Sequence, residues 1–325
     1  MRVAVVGAGA VGARAARQLV STDAVDFVSV SDVDDERARN VVASLGEDRS
    51  AVVREATDVD VVILTTPGNT HADKARTFVE AGIAVVSVSD DVDEVRALLE
   101  LDGIAARQAV PVVVGAGFSP GLTCVLAAHA ATALDHVDEV HVAKVGTGGP
   151  SCAEAHHRAL AGTALDWRDG SWVKRRAGSG RELCWFPDPI GGEDCYRAAL
   201  PDAMLLAPAF PGVERITARM GANRRDRITS RFPMLRPPHP EGGPGAARVE
   251  VRGRRGSARI VQVYGAMDRP AVAAGTVAAL AAVAAGGRQL RRNGAGGLAE
   301  LVDPLSFLSL LAQRGVKAAV FEGAA

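Results

Sequence analysis

The sequence predicts an α/β protein with a parallel sheet in its first third and a second, mixed sheet after it. Three observations predict this. Short valine-rich runs alternate with amphipathic segments, a glycine-rich turn follows the first of these runs, and alternating polar and apolar residues replace the continuous apolar runs in the middle of the chain. At 325 residues the chain is long enough for two domains.

The first predicted domain covers residues 1–118. Amphipathic stretches such as DERARNVVASL and HADKARTFVEAG are predicted helices. Because strands buried on both faces read as continuous Val, Ile and Leu, the apolar runs indicate a doubly wound parallel sheet. Its strands are expected at 2–7, 26–32, 51–55, 60–66, 83–89 and 109–115.

The second predicted domain covers residues 119–268. It begins with the helix LTCVLAAHAATAL and continues with strand-like pieces such as DEVHVAKV, SWVKRR and RVEVRGRRG, which indicate a mixed sheet with one wet face. The Pro- and Gly-rich stretch 231–246 predicts either a surface connection or a lid over a site. Residues 269–325 are predicted to be helical again, with Asp303 as an N-cap.

The composition is that of an ordinary globular protein, with 48% apolar residues, 23% charged residues and a formal net charge of −1. A surface without a strong field of either sign makes nucleic acid and anionic membranes poor partners. The apolar run from Ala271 is short and mostly alanine, and no secretory signal is visible, so neither a membrane span nor export is expected. Four cysteines without CxxC spacing predict a reduced, cytoplasmic protein without a metal site.

The turn after the first strand has the pattern G-x-G-x-x-G. Between a strand and a helix each glycine has a function: Gly7 allows the tight turn, Gly9 lets the backbone approach a pyrophosphate, and Gly12 lets the helix pack closely on the strand. The helix N-terminus offers free N–H groups to the phosphates. The sequence therefore predicts a Rossmann-type domain that holds a dinucleotide on Gly7, Ala8, Gly9, Ala10, Val11 and Gly12.

Asp32 ends the second predicted strand. A carboxylate at this place accepts hydrogen bonds from ribose hydroxyls and repels a 2′-phosphate, so it favours NAD over NADP. Arg37 keeps NADP open, because its side chain could turn to a phosphate. The fourth strand ends at the same carboxyl edge of the sheet, where three further residues are expected beside the cofactor: Thr65, Thr66 and Pro67.

The motifs GAGAVG, TTPGNTH, SVSDD, GAGFSPGLT and GTGGP, in this order, resemble the saccharopine dehydrogenase/reductase-like oxidoreductases, as does NGAGGLAELVDPLSF near the end. The resemblance spans most of the chain and is weakest between residues 155 and 265. It implies a nucleotide-binding domain, a second α/β domain, and C-terminal helices in residues 269–325 that fold back across the first domain. It also implies NAD(P)-linked chemistry at a carbon–nitrogen bond of an amino-acid-derived substrate.

Two departures from the family's pattern lie where the family places its substrate. Ser119 stands where the family usually has an acidic or amide residue, and the family's Gly-Gly-Leu-Pro is shortened to Gly-Gly-Pro at 148–150. Ser119 is therefore a candidate substrate-binding residue, but the identity of the substrate does not transfer. The stretch TTPGNTHADKARTFVEAGIAVV is also similar to the glucose–fructose oxidoreductase group. The stretch SVSDD, however, lacks the lysine that those enzymes use for proton transfer.

The stretch VAKVGTGGPSCAEAHHRAL concentrates groups suited to acid–base chemistry. Lys144 and His157 are expected to handle protons, together with Asp90, which is expected beside the nicotinamide. Glu154, His157 and Arg158 share one face of a predicted helix. That face could line the site, or it could be a polar surface with a local Glu154–Arg158 pair.

A second unusual segment, GRELCWFPDPIGGEDCYRAAL, contains Arg197. Arg158 and Arg197 are the two candidates for holding a substrate carboxylate, with Glu154 as a further substrate-binding candidate. The alternative interpretation of this segment is a hairpin whose aromatic residues close a small core.

The leading hypothesis is an NAD(P)-dependent dehydrogenase or reductase that acts on an amine or imine. Two alternatives stay open: a sugar or hydroxy-acid dehydrogenase, and a protein that binds the dinucleotide without catalysis, which the altered Ser119 motif favours. The expected ligands are NAD, with NADP possible, and a small-molecule substrate. A homodimer is expected by analogy with other proteins of this fold class.

Overall fold

The computed structural model describes residues 1–46, 48–234 and 237–321. Valine-rich runs form the strands of the first domain, and the amphipathic segments between them form its helices. The strands are β1 (Arg2–Val6), β2 (Phe27–Ser31), β3 (Ser50–Val52), β4 (Val61–Leu64), β5 (Ala84–Ser87) and β6 (Pro111–Val113). The helices are α1 (Ala10–Val20), α2 (Asp35–Leu45), α3 (His71–Glu80), α4 (Val92–Leu99) and α5 (Asp102–Arg107).

The middle of the chain forms the second domain. Its helices are α6 (Leu122–Ala131), α7 (Pro150–Ala159), α8 (Asp202–Leu206) and α9 (Arg224–Thr229), and a 3₁₀ turn covers Ala207–Ala209. Its strands are β7 (His136–Val145), β8 (Thr163–Arg168), β9 (Ser171–Arg176), β10 (Glu182–Phe186), β11 (Gly191–Arg197), β12 (Arg215–Gly221), β13 (Gly245–Arg255) and β14 (Ala258–Asp268). The end of the chain adds α10 (Pro270–Gly286), β15 (Gly294–Gly296), α11 (Leu298–Leu301), α12 (Pro304–Gln313) and β16 (Ala318–Phe321).

The first sheet is parallel throughout its described strands, in the order β15-β6-β5-β4-β1-β2-β3. Strands β4 and β5 are fully buried, and β1 is buried at its three middle residues, as expected for mostly apolar strands covered by helices on both faces. The strand order reverses between β1 and β4: the chain adds β2 and β3 on one side of β1 and then crosses over to add β4, β5 and β6 on the other side. In sheets of this kind ligands bind in the crevice outside the carboxyl ends of the strands at that reversal.

The second sheet is mixed, in the order β10-β11-β12-β7-β13-β14-β16, with β8 and β9 attached beside β12. Strand β7 lies in the middle, parallel to β12 and antiparallel to β13. Helix α6 packs on one face of this sheet, against β7, β13 and β14. The predicted α/β fold with two unlike sheets is therefore confirmed.

The end of the chain ties the two parts together. Helix α10 packs on α1, β4 and β5 of the first domain. It approaches α1 closely at Gly275, where a Cβ would lie 2.8 Å from the backbone nitrogen of Ala15. The sequence predicts helices here, but β15 also extends the first sheet and β16 extends the second.

Two details differ from the sequence expectations. The segment VDEVRALLELDGIAARQ forms two helices, α4 and α5, because the chain turns at Glu100 and Leu101. The strand β8 was not expected, since TALDWR carries few β-branched residues. Strands β10 and β11, in contrast, form the hairpin that was the alternative interpretation of GRELCWFPDPIGGEDCYRAAL. Within 231–246 the described residues form a connection without regular structure up to β13, and Leu235 and Arg236 lie outside the described residues.

Candidate functional site

The glycine turn between β1 and α1 is shaped by close backbone contacts. Gly7 has a φ of +107°, and a Cβ on it would lie 2.8 Å from the carbonyl carbon of Thr65. A Cβ on Gly12 would overlap the carbonyl oxygen of Gly7. A Cβ on Gly9, in contrast, would meet no atom within 4 Å, so the turn has open space where α1 begins. Two glycines therefore serve the packing of the turn, and the third leaves room for a ligand at the helix N-terminus.

Asp32 lies directly beside this turn. Its Oδ2 accepts a hydrogen bond of 2.6 Å from the backbone N–H of Ala8, and its Oδ1 accepts one of 2.9 Å from the N–H of Asp34. The guanidinium of Arg37 lies 3.7 Å from Oδ1 on the exposed side. The carboxylate expected to bind ribose is thus fixed at the rim of the turn, and the Arg37 guanidinium, a cation that could meet a 2′-phosphate, lies next to it. The remaining predicted turn residues, Ala10 and Val11, are the first two of α1.

The end of β4 closes the other side of the turn. The Thr65 hydroxyl donates to the carbonyl oxygen of Gly7 at 2.7 Å, and Thr66 and Pro67 follow at the increasingly exposed carboxyl edge. His71 is fully buried and bonds to Ser87 and to the Thr66 carbonyl, so it supports this edge from below. The arrangement suits a dinucleotide laid across the carboxyl ends of β1 and β4.

A cluster of four side chains lies between the first domain and α7 of the second. We call Asp90, Lys144, Cys152 and His156 the lysine cluster. Lys144 Nζ lies 2.8 Å from His156 Nε2 and 3.7 Å from Asp90 Oδ2. The same His156 Nε2 lies 3.0 Å from Asp90 Oδ2 and 3.5 Å from Cys152 Sγ.

Three separate segments bring these groups together. Lys144 is near the carboxyl end of the central strand β7, and α7 then carries Cys152 and His156 one turn apart on one face. Asp90 comes from the segment between β5 and α4, at the carboxyl edge of the first sheet. Lys144 is only 2% exposed, and its Nζ is held by a 2.9 Å hydrogen bond to the Ser119 carbonyl.

The charges of the cluster shift the pKa values of Asp90 and His156. Burial by itself would raise the pKa of Asp90, but the hydrogen bond from His156 and the charge of Lys144 lower that pKa to about 2. Burial would lower the pKa of His156, but the neighbouring Cys152 and Asp90 raise it to about 9, against the opposing charge of Lys144. Asp90 is therefore anionic near neutral pH, and His156 holds a proton strongly.

The geometry requires a shared proton. His156 Nε2 carries at most one proton, yet it faces an amine, a carboxylate and a thiol. Nε2 either accepts a hydrogen bond from Lys144, or it carries a proton that it can donate to only one of its neighbours at a time. Such a group can take up or release a proton without a large rearrangement, which is what acid–base chemistry beside a bound substrate needs.

The same atoms have the spacing of a metal site. Asp90 Oδ2, Cys152 Sγ and His156 Nε2 all lie within 4.8 Å of one another. However, the Lys144 amine already contacts the imidazole nitrogen that a metal would need. A divalent cation would meet a positive charge there, so we interpret the cluster as an acid–base group.

Ser119 belongs to a second, buried group behind Lys144. Its hydroxyl donates to Asp202 Oδ1 at 2.9 Å, and the Thr123 hydroxyl donates to the same oxygen at 2.7 Å. Asp202 is fully buried, its Oδ2 has no hydrogen-bond partner among the described residues, and burial raises the pKa of its carboxyl group. Ser119 therefore links Lys144 to a buried carboxyl group: its carbonyl oxygen accepts from Lys144, and its hydroxyl donates to Asp202.

The structure corrects the expected position of His157. Its ring lies 2.9 Å from the carbonyl oxygen of Thr229 and 3.1 Å from that of Phe232, so it holds the start of the 231–246 connection. His156 takes the place in the cluster that was expected for His157. The buried side of α7 carries Ala153, His156 and Leu160, an i, i+3, i+7 stripe that the sequence contains.

The arginines expected to hold a substrate carboxylate lie elsewhere. Arg158 and Glu154 point to solvent on α7 and pair with each other at 3.9 Å, as the alternative interpretation of that helix had it. Arg197 is paired with Asp166 at 3.0 Å. The sequence analysis missed Cys152, His156 and Asp202 as members of the site, and only His156 had a local signal.

Residues 237–244 of the connection contact the first domain. Glu241 lies 3.4 Å from Arg14 of α1 and 3.5 Å from Arg269. A Cβ on Gly149 would lie 3.2 Å from both Ala10 and the carbonyl oxygen of Pro240, so the loop before α7 also meets the glycine turn. Segments of the second domain therefore border the dinucleotide crevice.

Within the described ranges no helix combines the length and apolar character needed to cross a bilayer.

Comparison with known proteins supports this interpretation of the first domain. Residues 1–116 match a family model described as "Oxidoreductase family, NAD-binding Rossmann fold". Inositol 2-dehydrogenase 3 of Saccharopolyspora erythraea is 30% identical over 119 residues, which is 34% of this chain and 35% of that protein. The chain thus matches about a third of the length of this curated relative.

Solved structures extend the similarity to the whole fold. Saccharopine dehydrogenase (L-Glu forming) from Saccharomyces cerevisiae superposes with a TM-score of 0.69 at 12% identity, covering 98% of this chain and 99% of that one. An engineered D-amino acid dehydrogenase bound to NADP⁺ has a TM-score of 0.51 at 16% identity, covering 97% and 99%. At these identities the likeness concerns the fold.

Residues 1–116 therefore match the NAD-binding Rossmann fold of this oxidoreductase family, and the whole chain has the two-domain fold of the yeast saccharopine dehydrogenase structure.

Proposed function

We propose that the protein is an NAD(P)-dependent oxidoreductase that acts at a carbon–nitrogen bond of an amino-acid-derived small molecule. The observation that carries this proposal is the lysine cluster, where Asp90, Lys144 and His156 meet at the carboxyl edge of the Rossmann sheet. A bound nicotinamide dinucleotide supplies or accepts the hydride, and the cluster handles the accompanying proton.

The residues of the glycine turn fit such a cofactor. The open space at Gly9 and the first N–H groups of α1 suit a pyrophosphate, and the Asp32 carboxylate suits ribose hydroxyls. Asp32 favours NAD, while Arg37 beside it offers a cation to a 2′-phosphate. Both pyridine coenzymes therefore belong in the test.

The charges of the cluster favour an amine or imine over an alcohol. An amine is cationic near neutral pH and must lose a proton before it can be oxidised, and the corresponding iminium ion is also cationic. Asp90, with a pKa of about 2, stays anionic and provides the counter-charge. His156 and Lys144 together provide the proton acceptor, since only one of their two facing nitrogens carries the shared proton.

The amino-acid part of the proposal has separate support. Solved structures with this fold include saccharopine dehydrogenase and a D-amino acid dehydrogenase, both named for substrates with amino groups. Arg158 pairs with Glu154 at the surface and Arg197 pairs with Asp166, so other groups have to donate hydrogen bonds to the substrate carboxylate. Backbone N–H groups of the 146–149 loop are our candidates for them.

A second candidate is a polyol or hydroxy-acid dehydrogenase. The 30% identity with inositol 2-dehydrogenase 3 over 119 residues favours it. That similarity covers 34% of this chain, and the matching family model ends at residue 116, before Lys144.

The test is a substrate screen followed at nicotinamide absorbance. Amino acids and secondary amines with NAD⁺ or NADP⁺, and 2-oxo acids with amines plus NADH or NADPH, are compared with polyols and hydroxy acids. We expect turnover with the first set that is abolished in Lys144→Met. Turnover of polyols alone would establish the second candidate, and tight cofactor binding without turnover of either set would identify a non-catalytic dinucleotide-binding protein.

We also propose that the protein works as a homodimer in the cytoplasm. The second sheet has many charged residues on its strands, including the ion pairs among Glu250, Arg248 and Arg252. Light scattering on the purified protein measures the oligomeric state, and a monomer at micromolar concentration would contradict the proposal.

A further inference from the structure

Cys152 differs from the other cysteines in its exposure. Cys124, Cys184 and Cys195 are buried, at 0–3% exposure, whereas Cys152 is partly exposed at the first turn of α7. All four cysteines of the chain lie within the described residues. A reagent arriving from solvent therefore reaches Cys152 first.

The surroundings of Cys152 stabilise a negative charge on sulfur. Its Sγ lies 3.5 Å from His156 Nε2, and the Lys144 amino group lies 2.8 Å from the same nitrogen. Cys152 is also the third residue of α7, where the free N–H groups of the helix carry partial positive charge. Asp90 is the opposing charge, at 3.0 Å from the imidazole.

We propose that Cys152 is an oxidation site, at which a hydroperoxide converts the thiolate to a sulfenic acid and thereby disables the lysine cluster. The thiolate sulfur attacks one oxygen of the peroxide, an S–O bond forms and the O–O bond breaks. Sulfur loses two electrons and the peroxide gains them, leaving as water or an alcohol after it takes a proton. His156, next to the sulfur, is the donor of that proton.

The neighbouring groups favour this reactivity over simple burial of the thiol. Burial by itself would raise the pKa of Cys152, but His156 lowers it below the ordinary value of 9.0. A sulfenic oxygen would then face His156 Nε2 and compete with Asp90 and Lys144 for it. The shared proton of the cluster would then be held at the sulfenic oxygen.

The oxidised form is expected to persist until an external thiol reduces it. Cys184 and Cys195 lie together in a separate small core with Ala143 and Phe186, and Cys124 is buried in α6. No second cysteine of the chain therefore lies beside Cys152 to form an internal disulfide.

The experiment measures labelling, which needs no turnover, so its result is independent of the proposed substrate. The native full-length protein is treated with limiting iodoacetamide, and separately with hydrogen peroxide followed by a sulfenic-acid-selective dione, and the modified peptides are identified by mass spectrometry. We expect Cys152 to react about tenfold faster or more than each of the other three cysteines, and its alkylation rate to level off at a lower pH than that of an ordinary thiol. Cys152→Ser removes the fast phase of both reactions.

His156→Gln is the decisive variant, and His157→Gln is its matched control on the same helix. We expect the first to slow alkylation of Cys152 by about tenfold and the second to leave the rate unchanged. Thermal melting verifies that both are folded. Reaction of Cys152 no faster than that of the buried cysteines, a rate that still rises steeply above about pH 9, or an equal effect of the two variants would overturn the proposal.

Discussion

Lys144 Nζ and His156 Nε2 lie 2.8 Å apart, and both side chains are buried. Two groups that are ordinarily cationic or close to it are thus held in contact, with Asp90 as the nearby anion. Burying like charges together is costly unless they share a proton or are paired. A contribution to folding stability therefore does not explain this contact, whereas a role in acid–base chemistry does.

Replacing Lys144 by methionine tests that function directly. The side chain keeps most of its length and apolar stem but loses the amine that contacts His156. We expect kcat to fall by roughly 10²–10⁴-fold, the usual contribution of a positioned acid–base group. The affinity for NADH, measured by fluorescence titration, should stay the same, because Lys144 lies in the second domain.

Lys174→Met is the matched control, since Lys174 is exposed on β9 and outside the cluster. Turnover by Lys144→Met close to that of Lys174→Met would show that the amine of Lys144 is not part of the reaction.

His156 makes stability depend on pH in the alkaline range. Its pKa is raised from 6.5 to about 9 in the folded protein, so its protonation stabilises the fold fully below about pH 6.5, and this contribution is lost as pH rises through about 9. The wild type should therefore lose on the order of 1–3 kcal/mol more unfolding free energy over this window than His156→Gln does. Urea unfolding at both ends of the window measures the difference. Parallel losses in the two proteins would mean that His156 does not hold this proton.

Gly9 and Gly12 provide a matched pair of variants that separates binding from folding. A Cβ on Gly9 meets nothing within 4 Å, so Gly9→Ala should fold normally and weaken dinucleotide binding by roughly ten- to a hundredfold, because the methyl group fills the space for the pyrophosphate. A Cβ on Gly12 overlaps the Gly7 carbonyl, so Gly12→Ala should lose about 2–3 kcal/mol of stability. Calorimetry with NADH and thermal unfolding together give both numbers. Unchanged affinity in Gly9→Ala would contradict the placement of the phosphates.

The first domain could be predicted from the sequence because its signals are local. Each buried strand is a continuous valine-rich run, and the turn glycines are specified by contacts within one strand–turn–helix unit. The strands β15 and β16 could not be predicted in this way. The three residues of β15, Gly-Ala-Gly, have no strand preference of their own and become a strand only because β6 offers an open edge.

The candidate site shows the same limit. Asp90 and Lys144 could be proposed from motifs, and the buried stripe of α7 contains the information that His156 rather than His157 faces inward. Asp202 could not be found, since it joins Ser119 across 83 positions of sequence and nothing in DAMLL marks it as part of a site. Its position depends on how α8 packs against α6, which is decided by the tertiary fold.

Asp32 and Arg37 should together decide which coenzyme is preferred. Asp32→Ala removes the acceptor for ribose hydroxyls and the repulsion of a 2′-phosphate, while Arg37 remains 3.7 Å from the vacated position. We expect the affinity for NADH to fall about tenfold and the ratio of NADPH to NADH affinity to rise by more than that. Asp35→Ala, which changes an exposed acid on α2, is the control. An unchanged preference in Asp32→Ala would place the adenosine elsewhere.

Asp202 provides a last prediction, about charge in the buried group behind Lys144. Its Oδ1 accepts from the hydroxyls of Ser119 and Thr123, and burial raises the pKa of its carboxyl group despite the charge of Lys144. The neutral form is therefore favoured in the folded protein, and the stabilisation that it provides is lost as pH rises through the raised pKa. Asp202→Asn keeps the acceptor oxygen and removes the titration, so at pH 8 it should be as stable as the wild type or more stable.

Asp202→Ala, in contrast, leaves two buried hydroxyls without an acceptor and should cost about 2–4 kcal/mol in chemical unfolding. The comparison separates two roles for this residue. If the asparagine variant is as unstable as the alanine variant, the native carboxyl group is ionised and acts as a counter-charge to Lys144 across Ser119. If it is stable, Asp202 serves as a neutral acceptor that fixes the Ser119 segment, and through the Ser119 carbonyl it fixes the position of the lysine amine.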